Sequence, residues 1–115
     1  MKKKYSLKRN EEIAKIVHKR RLIKNDLFVM YYQPNTIIGH SRICISVSKK
    51  NGNAVTRNKI KRQVREMITA IFDFELKYDY VLIVKAAFTE NDFSLNKEKL
   101  NELYLKFISK NKESK

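Results

Sequence analysis

From Thr56 to Phe72 the chain reads TRNKIKRQVREMITAIF, and the spacing of its apolar residues leaves little choice but an amphipathic helix. Ile60, Val64, Met67, Ile68 and Ile71 recur at intervals of three and four, so at helical pitch they share one arc about 100° wide. Asn58, Lys59, Lys61, Arg62, Arg65, Glu66 and Thr69 take the opposite side. Such a helix must lay its apolar arc on a partner layer, which the rest of the chain has to build. Thr56 is a suitable N-cap. Asn51-Gly52 marks a turn just before it, because both residue types accept positive φ. Arg57 sits in the first turn, beside the free N–H groups and the positive dipole end, with Lys49 and Lys50 in the preceding turn.

The partner layer is readable in outline. DLFVMYY, rich in β-formers, predicts a strand. QPNTIIGH predicts a turn region, with an extra short strand conceivable at 35–39. SRICISVS alternates, with Ile43, Ile45 and Val47 on one side and Arg42, Cys44, Ser46 and Ser48 on the other. The two strands are expected to pair as a hairpin. DYVLIVKA is an almost unbroken apolar run, as in a strand covered on both faces. NEEIAKIVHKRR predicts a helix from about Asn10, capped by Asn10, with Ile13, Ile16 and Val17 inward and Lys19, Arg20 and Arg21 at the dipole's negative end. KEKLNELYLKFISK predicts a closing helix striped by Leu100, Leu103, Tyr104, Phe107 and Ile108. The order is α-β-β-α-β-α, an α+β sandwich. With 115 residues, two Gly and one Pro, it makes a single domain over 1–115, and residues 1–9 are expected to form a flexible basic arm.

Charge points to the partner. The net charge is +14. Residues 1–24 carry +8, residues 42–70 carry +7, and residues 71–115 are neutral. Arg57, Lys61 and Arg65 follow one another at i, i+4, i+8, and Glu66 is the one acid on that helix. A solvated face mixes signs to gain i,i+4 pairs; this one repels itself unless a polyanion relieves it. Nucleic acid is the first expectation. An anionic membrane would need an amphipathic helix free to insert, and the apolar faces here are claimed by the core.

SVSKKNGNAVTRNKIKRQVRE resembles the signature of the bacterial ribonuclease P protein subunit, an Arg-Asn-x-x-Lys-Arg core behind a Lys-Lys-x-Gly-Asn-Ala-Val lead-in. LKRNEEIAKIVHKR and DYVLIVK fall where that family has its first helix and last strand, so the likeness spans nearly the whole chain. The resemblance implies an α-β-β-β-α-β-α fold with a left-handed βαβ crossover through the basic helix, against the usual hand. It implies a catalytic RNA subunit that uses bound magnesium to cleave the 5′ leader from precursor tRNA, with no cofactor on the protein. It places Arg57, Asn58, Lys61, Arg62 and Arg65 on the RNA-binding helix and Lys49, Lys50 and Asn53 in its lead-in. Ile13, Val17, Phe28 and Tyr31 would line a cleft for the leader. The family usually has Phe at the positions of Ile13 and Val17, and often Gly near Arg20. An aliphatic pair packs on a base without the stacking worth ~1–3 kcal/mol per base.

The residues themselves argue against an independent active site. Glu11 and Glu12 are adjacent and diverge around a helix, and His18 and His40 read as surface residues. One Cys and two His do not match the usual zinc-site spacings. No phosphate-cradling Gly-rich loop is present. The lone Cys44 and the absence of a signal-type segment lead us to expect a cytoplasmic protein, with RNA and neither membrane nor small-molecule substrate as partner. A general RNA-binding protein without catalytic RNA is the competing reading.

Overall fold

The near-continuous apolar run at Tyr78–Val84 is the centre of the architecture. A computed structural model describes residues 1–113. Its elements are α1 (Asn10–His18), β1 (Leu22–Lys24), β2 (Phe28–Pro34), β3 (Arg42–Val47), α2 (Ala54–Ile71), β4 (Tyr78–Val84) and α3 (Phe93–Glu113), with short 3-10 turns at Lys3–Tyr5, Lys49–Asn51 and Ala86–Glu90. This is the α-β-β-β-α-β-α order. The four strands lie in the order β1-β2-β4-β3. The sheet is mixed: β4 pairs antiparallel with β2 and parallel with β3.

β4 separates two apolar layers because its alternate residues serve each. Tyr80, Leu82 and Val84 meet Ile60, Val64, Met67 and Ile68 of α2 and Leu100, Leu103, Tyr104 and Phe107 of α3. Val81 and Ile83 face the other way and meet Ile13, Ile16 and Val17 of α1. The apolar arc of the basic helix is thus the arc that is buried. The stripe expected on α3 is buried too, apart from a half-buried Ile108.

Several local expectations are corrected. β2 and β3 are not a hairpin, since β4 lies between them and β3 reaches it through the β3–α2–β4 crossover. The extra strand is Leu22–Lys24, paired with Val29–Tyr31 (register Leu22↔Tyr31), while 35–39 stays in the turn. α2 starts two residues before Thr56, capped by Asn53, whose side chain accepts from Thr56 N at 3.0 Å. Asn10 is the first residue inside α1 and makes no cap; Arg9 holds the cap position without a side-chain bond. α3 begins at Phe93, where Asp92 Oδ1 accepts from Leu95 N at 2.8 Å. Residues 1–9, expected as a flexible arm, lie against the body. Leu7 is buried, its N–H donates to Ile43 O at 3.0 Å, and Tyr5 stacks on Phe74 with ring centroids 4.2 Å apart.

Candidate nucleic-acid interface

The lead-in to α2 is built to hold its cations outward. Gly52 has φ +134°, and a Cβ there would meet Thr56 Cβ and Cγ2 at 3.1 Å, so both conformation and space call for glycine. Asn51 is buried and ties the turn to the end of β4, donating to Lys85 O at 3.1 Å and Thr89 Oγ1 at 2.9 Å. Lys49 and Lys50 are left exposed on this anchored turn, as is Asn53 at the cap.

Along α2, Asn58, Arg62 and Arg65 are exposed, while Arg57 and Lys61 are half-buried. Arg57 Nε is buried without a hydrogen-bond partner. Among the described residues the ion pairs are Arg42–Glu12, Arg42–Asp79 and Lys99–Asp26. None involves Lys49, Lys50, Arg57, Lys61, Arg62 or Arg65. The cationic side of α2 therefore stands without intramolecular neutralisation, which costs repulsion that a bound polyanion removes.

The face under α1 is a second component. Ile13, Val17, Tyr31, Cys44 and Ile83, all half-buried, surround the buried Leu7, Ile16 and Val81. Of the four residues expected to line the cleft, Ile13, Val17 and Tyr31 come together here. Phe28 does not: it is fully buried in the opposite core, edge-on to Phe88 at 5.8 Å. The reason is strand parity. Phe28 and Tyr31 are an odd number of residues apart, so a regular strand sends them to opposite faces. Cys44 and Ile83 were not among the expected lining. The alternation of SRICISVS already put Cys44 opposite the core-facing Ile43, and that signal would have found it.

α1 is held over the sheet by a charge network rather than by apolar contact alone. Arg42 Nε and Nη2 donate to Asp79 Oδ1 at 3.0 Å and Oδ2 at 2.7 Å, a two-pronged pair, and Nη2 also donates to Glu12 Oε2 at 2.7 Å. Asn35 Nδ2 adds a bond to Asp79 Oδ1 at 2.9 Å. Asp79 is thus buried but paired and hydrogen-bonded, the condition under which a buried charge is tolerated. The hydrogen bond from Arg42 is the largest influence on Glu12 and holds its carboxyl below the ordinary 4.5, against a smaller upward push from burial.

The two components meet at the β3 edge. A groove of about 150 Å³ there is lined by Leu7, Ile43, Cys44, Ile45, Lys61 and Arg65, among others. Burial pushes the Cys44 thiol up, and the nearby Lys61 ammonium pulls it the other way. The cationic side of α2 and the face beneath α1 are therefore continuous around one strand. Among the described residues no group of three or more His, Cys, Asp or Glu is placed to hold a metal ion, and no helix is long and apolar enough to cross a membrane.

Comparison with known proteins gives matches along nearly the whole chain. The Ribonuclease P family model matches residues 1–108. The ribonuclease P protein component of Mesoplasma florum is 44% identical over 110 residues, covering 94% of this chain and 99% of the relative. That of Listeria welshimeri is 37% identical over 101 residues, covering 87% and 85%. A solved structure of a Staphylococcus aureus RNase P protein mutant with defective mRNA degradation activity is 36% identical, covers 91% of this chain and 88% of that one, and superposes with a TM-score of 0.80. The Thermotoga maritima RNase P protein is 31% identical, covers 85% and 94%, and gives 0.71. With the family model spanning almost the whole sequence and the relatives matching nearly end to end, the chain belongs to the ribonuclease P protein family.

Proposed function

We propose that this chain works by binding: it docks on a catalytic RNA through Lys49, Lys50, Asn53, Arg57, Asn58, Lys61, Arg62 and Arg65, and holds the 5′ leader of precursor tRNA against the face beneath α1. The observation that carries the reading is the cationic side of α2, anchored by its apolar arc and free of intramolecular ion pairs among the described residues. Guanidinium forks and ammonium groups there meet phosphates, and Asn58 can both donate and accept towards a base or ribose.

The leader's place is the half-buried surface of Ile13, Val17, Tyr31, Cys44 and Ile83. Tyr31 is its one aromatic ring, and the aliphatic side chains supply apolar contact without stacking. In this reading magnesium and the cleavage of the phosphodiester bond belong to the RNA subunit. The protein chain contributes affinity and position, and the ribonucleoprotein acts in the cytoplasm.

The test is reconstitution with the cognate RNA at low magnesium, assaying 5′ cleavage and binding. If about 6–8 phosphates are neutralised, log affinity falls against log salt with a slope of roughly −5 to −7. Precursor tRNA should bind the holoenzyme more tightly than mature tRNA. Equal affinity for the two would remove the leader from the face beneath α1. RNA binding with no acceleration of cleavage would return the chain to the class of general RNA-binding proteins.

A further inference from the structure

The cations at the end of α1 are not used by the interface described above. Lys19, Arg20 and Arg21 follow α1 without a break and are all exposed. Arg20 has φ +55°, the left-handed region that a helix usually assigns to Gly or Asn just past its C-terminus. That reversal sends the chain into β1, where Arg21 O accepts from Tyr32 N at 3.1 Å. The last turns of α3 arrive at the same place. A groove of about 540 Å³ is lined by Arg20, Arg21, Leu22, Tyr32, Lys110 and Asn111. A second, of about 480 Å³, shares Arg21 and adds Lys19, Gln33 and Pro34. Among the described residues none of Lys19, Arg20, Arg21 and Lys110 is in an ion pair. In the strand order this is the β1 edge, opposite the β3 edge against which α2 presents its cations.

We propose that Lys19, Arg20, Arg21 and Lys110 form a second RNA contact, a groove for a phosphodiester backbone on the β1 edge, so that the chain bridges two RNA segments lying on opposite edges of its sheet. The bland role of these cations is to face the negative ends of α1 and α3, which favour positive charge. That role does not account for Arg20. An arginine in a left-handed position is less suited to ending a helix than glycine, so its presence is explained by what its guanidinium reaches outside the chain. Four cations from two helix ends, converging on open grooves and in no ion pair among the described residues, fit phosphates spaced along a strand.

The inference rests on the chain being an RNA-binding subunit, but not on which residues of α2 make contact. Two variants test it, with Arg62→Ala run alongside to report on α2 separately. R21Q/K110Q should lower affinity about tenfold near physiological salt and make the log–log salt slope shallower by about 1.5, at unchanged Tm. A loss seen with catalytic RNA alone assigns the groove to that RNA. A loss seen only when precursor tRNA binds the holoenzyme assigns it to the leader. R20G should give an unchanged or higher Tm together with weaker RNA binding, roughly threefold. Wild-type affinity and slope in both arms for a folded R21Q/K110Q, or a lower Tm with unchanged affinity for R20G, would overturn the proposal.

Discussion

At the scale of single residues, position and role separate cleanly on α2. Arg62 is exposed and makes no ion pair among the described residues, so Arg62→Ala should leave stability within about 0.5 kcal/mol, as for most surface changes. It should weaken RNA binding by about 1.5–3 kcal/mol, the range of a hydrogen bond to a charged group. A thermal melt and a filter-binding titration read the two; a lost fold would mean the guanidinium serves the protein itself. Tyr31 is half-buried, so Tyr31→Leu is the better probe than alanine: it keeps apolar contact and removes the ring. Precursor affinity should fall by about 1 kcal/mol or more with mature tRNA unaffected, the signature of lost stacking. Glu12 gives a pH test. Its carboxyl is held below the ordinary 4.5 by Arg42, so the stabilisation it provides is complete above that value and fades as pH falls through the lowered one. The Tm advantage of wild type over Glu12→Gln should therefore be constant near neutrality and close on acidification below the ordinary 4.5. An advantage that did not narrow at all on acidification would mean the Arg42–Glu12 pair does not set it.

At the scale of elements, what the sequence discloses follows from range. α2 and α3 are legible because three- and four-residue spacing states which side is buried, and β4 is legible because a strand covered on both faces has no polar alternation. β1 escapes notice because three residues carry no period and are recruited by β2 rather than by their own propensity. The hairpin expectation fails because adjacency is only a default, and nothing in β2 or β3 alone says that β4 will be inserted between them. The Arg42–Asp79–Glu12 network joins three elements across 30 and 37 positions of sequence, so no local pattern foretells it. The turn before α2 combines the two kinds of information. Asn53, expected to touch RNA, is also the cap of the helix that carries the motif. Asn53→Ala should cost about 1 kcal/mol through the lost cap, while Asn53→Ser keeps the cap. If Asn53 also meets RNA, the serine variant melts like wild type and binds less tightly; identical binding would leave it a capping residue alone.

At the scale of the molecule, the same +14 that recommends an RNA partner works against the folded state. The excess lies within the first 70 residues, and the fold carries it on the segment before α1, the end of α1, the turn before α2 and the outer side of α2. The unfolded chain spreads those charges apart and so carries less repulsion. Opposing this are two apolar layers meeting on β4 and one buried, paired carboxylate. An anion that binds the gathered cations therefore binds the folded state in preference to the unfolded one, and raises stability by RT ln(1 + [L]/Kd), about 2.7 kcal/mol at a hundred times Kd. Sulfate or pyrophosphate at constant ionic strength should raise Tm well beyond chloride, because screening alone is matched between the two. The rise should shrink in a variant lacking both Arg62 and Arg65, whose own melting in chloride should be no lower than wild type once two repelling charges are gone. A wild-type Tm indifferent to the anion at fixed ionic strength would mean that the cations are too far apart for one anion to bridge, and that the repulsion is too weak to shape either folding or assembly with RNA.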